Sequence, residues 1–177
     1  MTTDERYITA CHEAGHAVAA LMRGGGEITS ITIEPTADYL GYTWTRIKPF
    51  DRAFIIYAGP WAEARAQWTD PTFDGCDGDG CLFEDLVTAA FLRNYDGDAT
   101  EYKQALDYDP AEIARRAGVF DELARRSGQE IPDREEMWSR QLECAWPVIQ
   151  QLAVRLLAGP VSGEDAAEVV NKSENVD

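Results

Sequence analysis

Histidine is nearly absent from this chain, with two in 177 residues. Positive charge is also short: 16 Lys and Arg face 32 Asp and Glu, a net of −16. A field of that sign repels phosphate backbones and anionic lipid, so nucleic acid is excluded as an expected partner. No run of 18 or more apolar residues occurs, and no membrane insertion is expected. The opening residues Met1 to Glu5 lack the basic region and apolar stretch of a secretory signal, which predicts a cytoplasmic location. Cysteine is sparse, and Cys11, Cys76, Cys81 and Cys144 do not form a zinc-ribbon pattern. Cys11 and Cys144 fall in helical patterns and are expected to be small core fillers. Cys76 and Cys81 flank an acidic glycine loop and are expected to be free thiols in a reducing compartment. No Gly-x-x-x-x-Gly-Lys-Ser/Thr phosphate loop is present. What the chain does have, 45% hydrophobic and 10% aromatic residues, is enough for a real core.

Both histidines lie in one stretch, His12-Glu13-Ala14-Gly15-His16. Two histidines placed at random in a chain of this length would fall four apart roughly one time in a hundred. On a helix, that spacing stacks both imidazoles on one face, within reach of a single ion. Zn2+ accepts neutral histidine nitrogens, and a catalytic zinc keeps one position for water. Glu13, about 100° around the helix from His12, can lean over the same site as a general base. The chemistry implied is hydrolysis of an amide bond.

The surrounding pattern predicts a mainly α fold with a small β element. The first helix should run from Asp4 to Met22 or Arg23, with Ile8, Cys11, Ala14, Val18 and Leu21 as its apolar stripe. Gly15 inside it suggests close approach of another element, although packing alone would also account for it. Ile28–Glu34 and Leu40–Thr45 read as strands, and Gly41–Trp44 is the stretch to place beside the metal, where a substrate backbone could add to its edge. A helix is expected over Asp51–Trp68, kinked or broken at Gly59-Pro60. The acidic loop Thr69–Leu82 fails the EF-hand pattern and reads as exposed. Further helices should start near Phe83 and Ala99, and at the capping signals Asp109 and Asp133, with Gly118 and Pro147 interrupting or bending two of them. Ser162 should cap a last short helix. Residues 1–171 are expected to form a single domain, with a metal-site half at 1–95 and a helical part at 96–171. Residues 172–177 should be a disordered tail.

With no histidine left, the third ligand must be a carboxylate or a thiolate. Glu63, Cys76, Asp79, Cys81, Glu84 and Asp85 are the candidates. Placement on a regular helix favours Glu63, Glu84 and Asp85 over the three loop residues.

Tyr7–Ala20, with its His-Glu-Ala-Gly-His-Ala core, resembles the active-site helix of the FtsH-type membrane-anchored AAA+ zinc proteases. Ile31–Pro35 and Leu40–Thr43 resemble the strands that follow it. Ile56–Glu63 is similar to the family's glycine-alanine-glutamate helix, Glu84–Ala90 to the helix supplying an aspartate ligand, and Ile149–Val170 to the C-terminal helices. The resemblance implies a zincin-like peptidase domain with His12, His16 and Asp85 as zinc ligands and Glu13 as catalytic base. Glu63 would then accept from an imidazole N–H, or else be a solvent-facing helix carboxylate. The transmembrane and ATPase parts of that family have no counterpart in the sequence. The implied activity is therefore ATP-independent endopeptidase action on unfolded or flexible protein segments, with a homo-oligomer or a separate ATPase as potential partners. The alternative is a catalytically idle, metal-bearing binding or regulatory module.

Overall fold

The computed structural model describes residues 3–24, 27–36, 40–70, 72–73, 75–78, 80–93, 95–128 and 133–173. Its first helix, α1 (Thr3–Met22), is wrapped by neighbours over its second half, where Ala10, Cys11, Ala14, Ala17, Val18, Ala19 and Ala20 are all buried. Small side chains on several faces let other elements approach from more than one side. The helix α2 (Arg52–Gln67) is more central still, and every residue from Ala53 to Ala64 is buried. Burying side chains such as Phe54 and Trp61 is worth about 1.5–3 kcal/mol each. Pro60 lies inside α2, yet the helix runs on without a break.

Between these helices the chain makes β1 (Glu27–Thr32) and β2 (Tyr42–Arg46), which pair antiparallel with Ile31 opposite Thr43 and Thr32 opposite Tyr42. A third strand, β3 (Val161–Ser162), joins the other side of β1, giving the order β2-β1-β3. Two residues are too short for any periodicity to announce, so β3 is missing from the sequence reading. Beside it, a side chain at Gly163 would collide with the Ile28 carbonyl.

The remaining helices are α3 (Phe83–Arg93), α4 (Thr100–Leu106), α5 (Pro110–Arg116), α6 (Val119–Ser127), α7 (Arg134–Ala158) and α8 (Gly163–Ser173). A single π turn, Tyr95–Ala99, joins α3 to α4. The expected caps form: Asp109 accepts from the Glu112 N–H, Asp133 from the Glu135 N–H and Ser162 from the Asp165 N–H. Gly118, in the left-handed region at φ 69°, separates α5 from α6. Pro147 lies within α7, which is continuous.

The buried core takes in residues from both sides of position 95, including Trp138, Leu142 and Ile149. Two expectations change. Cys144 is exposed rather than a core filler, because α7 turns Leu142, Trp146 and Ile149 inward instead. Helix α8 continues to Ser173, past the expected end of ordered structure, and the rest of the expected tail lies outside the described residues. The four cysteines are free thiols.

Gly15 is where α1 meets α2. A Cβ there would strike the Ala58 carbonyl and lie 2.8 Å from the Ala62 Cβ. Gly15→Ala should therefore destabilise the fold by about 1–3 kcal/mol, although alanine is the better helix former. A urea melt of the variant would measure this, and equal or greater stability would refute the tight contact.

Candidate metal centre

One stripe of α2 faces the two histidines. Ile55, Gly59 and Glu63 are spaced four apart and so share a face of the helix. The Ile55 carbonyl accepts from His16 Nδ1 at 2.8 Å, and Glu63 Oε2 accepts from His12 Nδ1 at 2.8 Å. Between them Gly59 leaves the space the rings occupy, since a Cβ there would overlap the His16 ring and come within 2.9 Å of His12 Nε2. A carbonyl can only accept, so Nδ1 of His16 carries the proton and Nε2 is turned toward the site.

The two Nε2 atoms converge to 3.1 Å. Asp98 closes the group from the π turn, with Oδ2 2.8 Å from His12 Nε2 and Oδ1 3.6 Å from His16 Nε2. The ligand atoms of His12, His16 and Asp98 all lie within 4.8 Å of one another, and this group could hold a metal ion. Three acceptor atoms aimed at one point ask for positive charge there. Burial works against charge on His12, but hydrogen bonds with Asp98 and Glu63 outweigh it and push the imidazole up to about 10. Burial also opposes charge on His16, and Asp98 again raises it. For Asp98 the order is the same: burial would raise it, but His16 and His12 hold it well below the usual carboxylate range.

Glu13 points along the same cleft. It is 7% exposed, and burial raises its carboxyl above the ordinary value. The Thr43 hydroxyl lies 2.6 Å from Glu13 Oε2 and 3.1 Å from the Glu13 backbone carbonyl. Gly41 keeps that side open, because a Cβ there would sit 2.8 Å from Glu13 Oε1. The cleft has a volume of about 300 Å³, with Gly41–Thr45 along one wall and Ile55 and Ile56 along another. Among the described residues the wall strand, β2, is an edge of the sheet.

Asp85 is not in this group. It lies on the exposed first turn of α3, where its carboxylate accepts the Leu82 N–H at 3.1 Å. Helix α3 turns Phe83, Val87 and Ala90 inward, which points Asp85 away from the histidines. Among the described residues it is Asp98, not Asp85, that lies with His12 and His16 in a group that could hold an ion. Glu84 is exposed on the same helix, Cys76 and Cys81 are free thiols, and Asp79 lies outside the described residues. Glu63, at 9% exposed, faces His12 rather than solvent. The local sign of Asp98 was its position after Gly97, in a break between two helices; that both helices pack on α2 is seen only in the fold. Gly59 gave none beyond a helix irregularity.

No protein-family model matches the chain.

Asp98→Ala should lose most bound divalent metal, whereas Asp85→Ala should keep it, as measured by elemental analysis of the purified variants. Gly59→Ala should lose metal too, by displacing His16. The opposite ranking of the two aspartates would return the ligand role to α3.

Proposed function

We propose that the protein is a zinc-dependent endopeptidase acting on unfolded or flexible segments of protein chains. The observation that carries this reading is a buried, nonligating carboxylate, Glu13, in the same cleft as the convergent His12, His16 and Asp98. A site that only held a metal for structure would need no such group beside an open cleft.

The donor set fits zinc. Two imidazole nitrogens and a carboxylate leave a fourth position free, as catalytic zinc sites do. With one ligand atom from each residue, the three lie within 4.8 Å of one another, close enough to share a single ion. Zinc bound there would supply Lewis acidity toward a water and a carbonyl oxygen.

The chain's own residues do the rest. Glu13, its charge disfavoured by burial, takes a proton from the attacking water and returns it to the leaving nitrogen. Thr43 donates its hydroxyl hydrogen to Glu13 Oε2 and so fixes the direction in which the carboxylate points. Glu63 and the Ile55 carbonyl hold the two rings with Nε2 turned inward. Strand β2, outermost in the sheet of the described residues, lines the cleft and would lie beside an extended substrate, a mode that demands an unfolded segment and is indifferent to most of its side chains. The family resemblance of the motif and its neighbouring segments supports the same reading. Among the described residues no helix is long and apolar enough to cross a membrane.

Glu13→Gln should keep its zinc while casein hydrolysis falls by about two orders of magnitude or more, the scale of general-base loss. Chelation should abolish the activity and added zinc restore it. Undiminished hydrolysis by the variant would rule out Glu13 as the base.

A further inference from the structure

Glu63 uses its two oxygens on opposite sides. Oε2 accepts from His12 Nδ1 at 2.8 Å, while Oε1 is ion-paired with Nη2 of Arg93. The carboxylate is almost wholly enclosed, whereas the arginine is about half exposed. Arg93 is the last residue of α3, immediately before the segment that turns to deliver Asp98. One short stretch of chain thus reaches His12 twice: from the front through Asp98, and from behind through Arg93 and Glu63.

We propose that Arg93 is a positioning residue for the metal centre, acting on His12 through Glu63. This rests on the metal reading of the site and is independent of whether peptides are hydrolysed. A carboxylate held only by one imidazole can swing about its terminal torsion, which is broad. Pinning Oε1 with a guanidinium removes that freedom, so that Oε2 stays in line with the Nδ1–H. The His12 ring is then fixed with Nε2 toward Asp98, and its basicity as a ligand is raised. The rival role for Arg93 is plain helix termination, a cation beside the last carbonyls of α3. That role would affect the stability of α3 and leave metal affinity alone.

A double-mutant cycle separates the two. Zinc affinity is measured by competition with a chelating dye for the parent, Arg93→Met, Arg93→Lys, Glu63→Gln and the Glu63→Gln/Arg93→Met pair. The visible absorption of each cobalt-loaded protein is recorded alongside, with thermal melting of the metal-free forms as a folding control. Outer partners of ligating histidines are typically worth about 10- to 100-fold in affinity. Arg93→Met should therefore weaken zinc binding about tenfold and alter the cobalt spectrum, with metal-free melting little changed. Arg93→Lys should recover most of the loss. The double variant should bind no worse than Glu63→Gln alone, because Arg93 acts through Glu63. Parent-like affinity in Arg93→Met, or losses that multiply in the double variant, would overturn the proposal. If the parent itself takes up neither zinc nor cobalt, the metal reading fails and this proposal falls with it. If the parent binds and Arg93→Met binds equally, this proposal alone is lost.

Discussion

The site exists because α1 and α2 approach with almost nothing between them. Packed helices usually lie 8–10 Å apart, a distance set by the side chains in the contact. Here the contact is made at Gly15 on one helix and at Gly59 on the other, and at each a methyl group would collide with its neighbour. That closeness brings a main-chain carbonyl of α2 within hydrogen-bonding reach of His16, and its Glu63 within reach of His12. With wider spacing the imidazoles would have to find partners among longer, more mobile side chains. The orientation of the His16 ring is therefore a consequence of backbone packing, and the same closeness lets the Glu63 side chain reach His12.

How much of this could be read from the residues alone depended on the distance over which each feature is encoded. The helix carrying His12, Glu13 and His16 follows from a local period, and its limits matched within a residue or so. The caps at Asp109, Asp133 and Ser162 are likewise local and fell where expected. Asp98 is different. Its role depends on how the turn after α3 folds back over α2, and nothing within a few residues of it encodes that path. A helical carboxylate such as Asp85 looked the more rigid candidate, yet the inward-facing residues of α3 leave it on the wrong side. Gly59 was read as a defect beside Pro60, since the gap it leaves has meaning only once α1 is in place. Cys144 failed for a related reason: α7 is amphipathic with several workable faces, and only the packing of Leu142, Trp146 and Ile149 decides among them.

The participants also come from well-separated parts of the chain. Residues near the start, in the middle of α2 and beyond α3 must all be docked before His12, His16 and Asp98 can share a point. No preformed site exists in an unfolded chain, so any ion held there would add its binding free energy to the stability of the whole fold. The π turn that presents Asp98 is a rare backbone form, often found where a helix is interrupted for a purpose. Placed between two regular helices, it gives a single carboxylate an aim that neither helix could provide.

Among the described residues β2 is an edge strand of the sheet, and that has a cost. An edge strand can offer donors and acceptors to any extended chain, including a strand from a second molecule. Tyr42 and Trp44 stand exposed along it, which makes the invitation an apolar one. Arg46 is the one charge on the strand, while at longer range a net charge of −16 makes two copies repel one another. Such a safeguard depends on its medium. Concentrated salt screens it and acid neutralises it, so this fold should be more prone to self-association in those conditions while its core is still intact.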